Sequence, residues 1–237
     1  DVVRLVNEER PKLVVAVGEQ ALAACRKVRR LPVVALMAIS LNVQKKPVGN
    51  VGGVAAVAAP QQYLELFKKL GARRIGVLFD PSRTGYYLRR AEQAAKSMGL
   101  QLVSLSIESP REVAARLEQL KGKADALWML PDATAVTAGN QDAYFLFAME
   151  QKIPLVAFGE LYLQKGAAAS LDVSRSDMGR QAGELAVSLL NGSVAAVDRA
   201  DDPRKVVLNT NDSVLSNLGI FSPGLRKTGS NTAIPSR

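Results

Sequence analysis

Between Leu70 and Leu100 the hydrophobic period changes twice, and no other stretch constrains the fold of this chain so tightly. Ile75–Phe79 (IGVLF) is a short β-rich apolar run, suited to a strand buried on both faces. Asp80-Pro81-Ser82 breaks it. From Thr84 onward Tyr87 or Leu88, Ala91, Ala94 or Ala95 and Met98 recur at helical spacing, with Arg89, Arg90, Glu92, Gln93 and Lys96 on the opposite side. That is the pattern of a helix lying on a sheet. Gly99 is placed to stop the helix, and Leu100–Ile107 opens the next strand.

This strand–loop–helix–strand unit recurs along the chain. Apolar runs at Leu13–Val17, Leu31–Ile39, Ala124–Leu130, Ile153–Phe158, Ala167–Leu171 and Lys205–Leu208 read as strands. Helical patterns separate them at Val2–Glu9, after Gln20 through about Lys27, and from Pro60 to Leu70, where Tyr63, Leu66, Phe67 and Leu70 share a face. Ser109-Pro110-Arg111-Glu112 is a capping box that starts another helix, using Val113, Leu117 and Leu120. Further helices are expected at Asp142–Gln151, Ser176–Leu190 and Val214–Leu218, with a helical turn at Glu160–Lys165. Lys45–Ala59 is rich in Gly and Ala and reads as a loop followed by an extended crossing segment. The Gly/Ser/Asn tail beyond Pro223 reads as disordered.

Strands that alternate with helices imply parallel sheets wound by right-handed crossovers. Two runs of such units, parted near residues 50–59, imply two lobes. The expected boundaries are 1–58 plus 174–200 for the first lobe and 59–173 for the second. A crossing strand and terminal helix follow over 201–222, then the tail over 223–237. A lobe that opens on a helix is expected to be N-terminally truncated, lacking its first strand.

Composition narrows the chemistry. The chain of 237 residues is 48% hydrophobic, yet no apolar run approaches the ~18 residues of a membrane span. The net charge of +9 invites a nucleic-acid reading, but the basic residues occur as scattered pairs such as Lys68-Lys69 and Arg73-Arg74, the distribution of a solvated surface. There is no histidine, which removes the commonest general base and metal ligand. The single Cys25 lies in an apolar helical pattern and reads as a buried structural thiol. No P-loop, dinucleotide fingerprint or nucleophile elbow occurs; Gly49–Gly53 lacks the required spacing. The expectation is a protein that is not an enzyme, with no metal and no cofactor.

In an open α/β sheet, ligands sit beyond the carboxyl ends of the strands. That rule selects five loops: Gly18-Glu19-Gln20, Ser40-Leu41-Asn42, Asp80–Tyr86, Pro131–Thr134 and Gly159–Tyr162. The candidate ligand contacts on them are Gly18, Glu19, Gln20, Ser40, Asp80, Thr84, Tyr86, Asp132, Thr134 and Glu160, with Asp172 at the end of the following strand. A carboxylate metal site at Asp80 and Asp132 is one alternative, and an ordinary turn with an N-cap is the favoured one. One of Tyr86 and Tyr87 should face the sheet, leaving the other as an aromatic wall near the loop. Trp128 reads as core. Gly179 and Gly183 read as a point of close helix packing.

Four segments, RRIGVLFDPSRTGYY, DALWMLPDATAV, KIPLVAFGELYLQKGAAASLDVS and DMGRQAGELAVSLLNG, resemble in order and spacing the ABC transporter substrate-binding family that includes tryptophan/tyrosine-type binding proteins. The resemblance covers roughly residues 10–220. It implies a type I periplasmic-binding-protein fold: two Rossmann-like lobes joined by hinge crossings, with a small-molecule ligand in the cleft. It implies capture of a small, amino-acid-like solute outside the cytoplasmic membrane, by a periplasmic or lipid-anchored protein, and delivery to an ABC transporter permease. The family's loop pattern falls on Pro131, Asp132, Thr134 and Val136, and its small-residue segment on Gly166–Ser170. Glu19 and Glu160 depart from the family pattern, and an acidic cleft would suit a ligand bearing an amino group. A sensory module of the same fold, signalling to a protein partner, is the alternative. No nucleic-acid partner and no membrane span are expected.

Overall fold

The computed structural model describes residues 2–43, 49–192 and 200–221. The start of the expected loop at Lys45 and the expected disordered tail over 223–237 lie outside the described residues. Helices α1 (Val2–Glu9), α2 (Glu19–Cys25) and α3 (Ser40–Val43) alternate with strands β1 (Val14–Val17), β2 (Val33–Leu36) and β3 (Val51–Val54). Then follow α4 (Pro60–Lys69), β4 (Arg74–Phe79), α5 (Gly85–Ser97), β5 (Gln101–Ser106), α6 (Val113–Gln119), β6 (Ala126–Trp128), α7 (Gln141–Gln151), β7 (Leu155–Ala157) and β8 (Ala169–Val173). The chain closes with α8 (Arg175–Leu190), β9 (Ala200–Asp201), β10 (Val206–Thr210) and α9 (Asp212–Asn217). Two compact units result: one within Asp1–Ala58 and Val173–Lys205, the other within Ala59–Asp172 and Val206–Ile234.

In the first unit β1, β2, β3 and β9 form a sheet in that order, parallel throughout. Alternation along the strands divides its core. Val33, Ala35 and Val51 meet Leu22 and Cys25 of α2, while Val34, Leu36 and Val54 meet Met178 and Ala182 of α8. Cys25 is buried, and burial pushes its thiol pKa up, as befits a structural residue. Residues 51–54, expected as part of a loop and crossing segment, are instead a paired strand. Gly53 permits this, because a Cβ there would lie 1.9 Å from the Ala35 carbonyl oxygen. The two-residue β9 falls where a loop was expected, since Ala200-Asp201 is too short to show any period.

The second unit holds a six-stranded sheet in the order β10-β8-β7-β6-β4-β5. Trp128 is fully buried, 5.0 Å from Tyr63 and 6.0 Å from Tyr87 between ring centroids, with Phe67 beside them, so α4 and α5 cover that face. Leu78 and Leu127 point the other way, into a cluster with Val113, Leu117, Tyr144 and Phe147 of α6 and α7. Ser109 and Glu112 form the expected capping box, Glu112 Oε1 accepting from Ser109 N at 2.9 Å.

The expectation of purely parallel sheets fails at one strand. Asn211 N–H donates to Ala168 O and Ser174 N–H to Lys205 O, so β10 runs antiparallel to β8. The chain reaches β10 from the first unit and not through a crossover helix of the same sheet, so the parallel winding rule has no hold on it.

Gly179 and Gly183 also depart from expectation. A Cβ at either position would meet nothing within 4 Å, so these glycines do not serve close packing. They sit exposed inside α8 and cost helix stability. Gly179→Ala and Gly183→Ala are each expected to stabilise the protein by about 0.5–1 kcal/mol. Thermal melts of the single and double variants check this, with roughly additive upward shifts as the expected outcome.

Candidate functional site

The candidate residues of the second unit gather at the carboxyl ends of β4, β6 and β8. Asp80 follows β4 directly. Its Oδ1 accepts hydrogen bonds from Ser82 N (2.8 Å) and Ser82 Oγ (2.6 Å), which turns the chain toward α5. Its Oδ2 accepts from Thr134 Oγ1 at 2.7 Å, and Arg83 Nε lies 3.6 Å from the same oxygen. Arg83 Nε donates in turn to Thr134 Oγ1 at 2.9 Å. Burial raises the Asp80 pKa, but the hydrogen bonds from Ser82 and Thr134 and the Arg83 charge outweigh it and hold the carboxyl below its ordinary value.

Asp132 follows β6 in the same way and is 1% exposed. Its Oδ2 accepts from Asp80 N at 2.8 Å and from Thr84 Oγ1 at 2.5 Å. Its Oδ1 accepts from Thr134 N at 2.9 Å and Ala135 N at 3.1 Å. Four donors fill the lone-pair positions of one carboxylate. Asp132 therefore clamps the loop after β4 to the loop after β6, and Thr84 is spent on the same clamp. The turn half of the favoured reading holds at Asp80, which bonds Ser82 N and Oγ, whereas the N-cap half does not: the N-cap of α5 is Thr84, without a side-chain cap bond. Among the described residues no group of three or more His, Cys, Asp or Glu side chains is placed to hold a metal ion.

The third acid, Asp172, belongs to β8. Its Oδ2 accepts from Ser170 Oγ (2.7 Å) and Asn209 Nδ2 (3.0 Å), and its Oδ1 from Glu160 N (3.1 Å). Burial and the Asp172 charge together push the Tyr63 hydroxyl pKa upward. Residues 160–165, expected as a helical turn, form a 3₁₀ helix, with Tyr162 buried against Phe158 and the Glu160 side chain exposed. Tyr87 is the tyrosine that faces the sheet, and Tyr86 stays half-exposed at the start of α5.

In the first unit the loops after β1 and β2 are joined by Glu19. Its carboxylate accepts from Ser40 N at 2.5 Å and Ser40 Oγ at 2.7 Å, capping the single turn of α3. Gly18 has φ +88°, a conformation that favours glycine, and its N–H donates to Leu36 O. Glu19 and Gln20, expected in a loop, form the first turn of α2, and Ser40-Leu41-Asn42, also expected as loop, is helical. The Glu19–Ser40 bonds account for both shifts, since they draw the two strand ends straight into helical turns.

Two participants carry no signal in the sequence. Arg83 and Asn209 become visible only when residues far apart in the chain are brought together, Arg83 beside Thr134 and Asn209 beside Asp172, whereas Ser82 and Ser170 act within two residues of the acid each serves. Met37, just after β2, has φ +56°, a left-handed backbone that a bulky side chain seldom adopts. Its N–H faces Met178 Sδ at 3.4 Å.

The depressed pKa of Asp80 sets a pH dependence. Its contribution to stability is present above the unfolded carboxyl pKa of about 3.9 and is lost as pH falls through the lower folded value. The melting-temperature gap between the wild-type protein and Asp80→Asn is expected to be constant from pH 5 to 7 and to shrink below about pH 4. Melts across that range measure it.

Residues 1–224 match the family described as ABC transporter substrate binding protein. A tyrosine-binding protein of Clostridioides difficile (strain R20291) is 31% identical over 152 residues, 62% of this chain. The match spans only 44% of that relative's length. Among solved structures, the ABC domain from Streptococcus pneumonia in complex with L-Trp aligns with a TM-score of 0.65 at 25% identity, covering 90% of this chain and 76% of that one. The ligand-free, open form of a substrate-binding protein with adhesive properties from Clostridium difficile aligns at a TM-score of 0.69 and 23% identity, over 98% and 81% of the two chains. The chain belongs to the ABC transporter substrate-binding protein family.

Proposed function

We propose, from this membership, that the protein captures a small amino-acid-like solute outside the cytoplasmic membrane and delivers it to the permease of an ABC importer, without chemical turnover. The observation that carries the reading is the family match over residues 1–224. The relatives whose names include tyrosine or L-Trp support an amino acid as the ligand class. The clusters at the strand ends support a division of labour. Asp80, Thr84, Asp132, Thr134 and Asp172 are held by protein donors and acceptors and act by positioning loops. In the second unit, half-exposed Tyr86 and the exposed side chain of Glu160 are left to meet a ligand; in the first, Gln20 is exposed, and Gly18, Glu19 and Ser40 shape the loops after β1 and β2. A carboxylate such as Glu160 would favour a ligand with an amino group. The protein would work in the periplasm or tethered to the outer face of the membrane by a lipid.

A thermal-shift screen against amino acids, short peptides, polyamines and sugars tests the function. A ligand at a hundredfold excess over its Kd stabilises the folded state by about 2.7 kcal/mol. The expected result is a saturable shift with an amino acid, reduced by Tyr86→Ala or Glu160→Gln, with the compound recovered unchanged. A panel that produces no shift, or a hit that is chemically converted, overturns it.

A further inference from the structure

A concave site lies at the amino-terminal end of the first sheet. Its residues come from the end of α1 and from the connection between α2 and β2, both of which precede strands. They therefore sit at the amino-terminal edge of the sheet, opposite the loops described above. The cavity is about 730 Å³, within the range of small-molecule pockets. Arg10, Lys27, Arg29 and Arg30 line it over an apolar floor that includes Val6 and Val28.

Three features distinguish this from an ordinary basic surface. No acidic side chain among the described residues lines the cavity, and none of the four cations has an ion-pair partner among them. The connection is also held in place: Asn50 Nδ2 donates to Val28 O (2.5 Å) and Leu31 O (2.6 Å), and Val28 N–H donates to Cys25 O. Finally, four exposed cations and the buried Val28 line the same hollow, so charge and apolar surface are presented together.

We infer that this cavity binds an amphiphilic anion, a phosphate or carboxylate head on a short apolar stem. The guanidinium groups of Arg10, Arg29 and Arg30 suit bidentate contact with an oxyanion, and Lys27 adds a point charge. The valine floor takes the apolar stem. Such a head could be presented by a free metabolite or by an acidic phospholipid. The inference is independent of the solute-binding reading, because none of these residues lies at the carboxyl ends of the strands.

Titration calorimetry with dodecyl phosphate below its micelle concentration tests it, with inorganic phosphate and dodecyl maltoside as head-only and neutral-head controls. The expected result is saturable one-to-one binding of dodecyl phosphate, at least about tenfold tighter than either control and weakened as salt rises. An Arg10→Gln/Arg29→Gln/Arg30→Gln variant should lose that binding by about tenfold or more, and Val6→Asn should weaken it severalfold, both with unchanged melting temperature. A Lys68→Gln/Lys69→Gln/Lys121→Gln variant, which removes the same charge from the second unit, should bind as wild type. Flotation with phosphatidylglycerol vesicles then identifies the source: charge-dependent retention assigns the head to a bilayer lipid, and its absence assigns it to a soluble molecule. Equal loss in both triple variants, or equal binding of all three probes, overturns the inference.

Discussion

Asp132→Ala is expected to destabilise the protein by about 3–5 kcal/mol, the largest loss from any single polar side chain at the strand ends. The arithmetic rests on what is left behind. Asp80 N, Thr84 Oγ1, Thr134 N and Ala135 N all donate to this one carboxylate, which is 1% exposed. A buried donor stripped of its partner costs about 1–3 kcal/mol, and relaxation or entering water recovers only part of that for four donors at once. Asp132→Asn separates charge from shape. Its amide oxygen keeps one pair of donors, but its NH₂ group faces the other pair, so it should recover less than half of the loss. At about 2–4 °C per kcal/mol for a chain of this size, the alanine variant should melt roughly 10 °C lower. Denaturant titration followed by Trp128 fluorescence gives the free energy directly. A loss under about 1 kcal/mol would mean that the loops after β4 and β6 do not depend on the clamp.

The same residue shows what could be read in the sequence. Asp132 was selectable because it follows an apolar run, and so was Asp80. The sequence could not show that the two acids serve each other's loops, because the bond from Asp80 N to Asp132 joins residues 52 apart. Local periodicity carried the fold well: the stretch from Leu70 to Leu100 holds β4 and α5 and ends directly before β5, and Trp128 is core as its strand position implied. Periodicity had nothing to say about β9, which has two residues, or about the direction of β10, which depends on where the chain has been. Gly179 and Gly183 misled because the spacing of two glycines is the same whether a neighbour lies against them or water does. For the ligand contacts the limit is of another kind. An acid satisfied by protein donors and an acid open to a solute are spelled alike, and only the donors around Asp80, Asp132 and Asp172 separate them from Glu160.

Gly53→Ala is expected to be at least as damaging as an ordinary overpacked core, about 3 kcal/mol or more. β3 lies between β2 and β9, and Gly53 pairs with Ala35 on one side and Ala200 on the other. The added methyl carbon would stand 1.9 Å from the Ala35 carbonyl oxygen and 2.8 Å from its carbonyl carbon. No rotamer change can relieve this, since the obstacle is backbone and the new atom has no torsion of its own. The strands must part, and that breaks the hydrogen bonds that join β3 to β2 and loosens Val34, Leu36 and Val54 from Met178 and Ala182 of α8. Gly18→Ala is the control, because its Cβ would meet nothing within 4 Å and only its backbone conformation, φ +88°, resists the change. Gly18→Ala should cost about 1–3 kcal/mol, because φ +88° with ψ 169° lies in a backbone region essentially reserved for glycine. The decisive measurement is hydrogen exchange resolved by segment. Protection should fall across β2, β3 and α8 in Gly53→Ala while β4, β6 and the buried Trp128 stay protected, because the second unit has a core of its own. Uniform loss across both units would show that they unfold together, and unchanged protection in β2 would show that the sheet can absorb the methyl group.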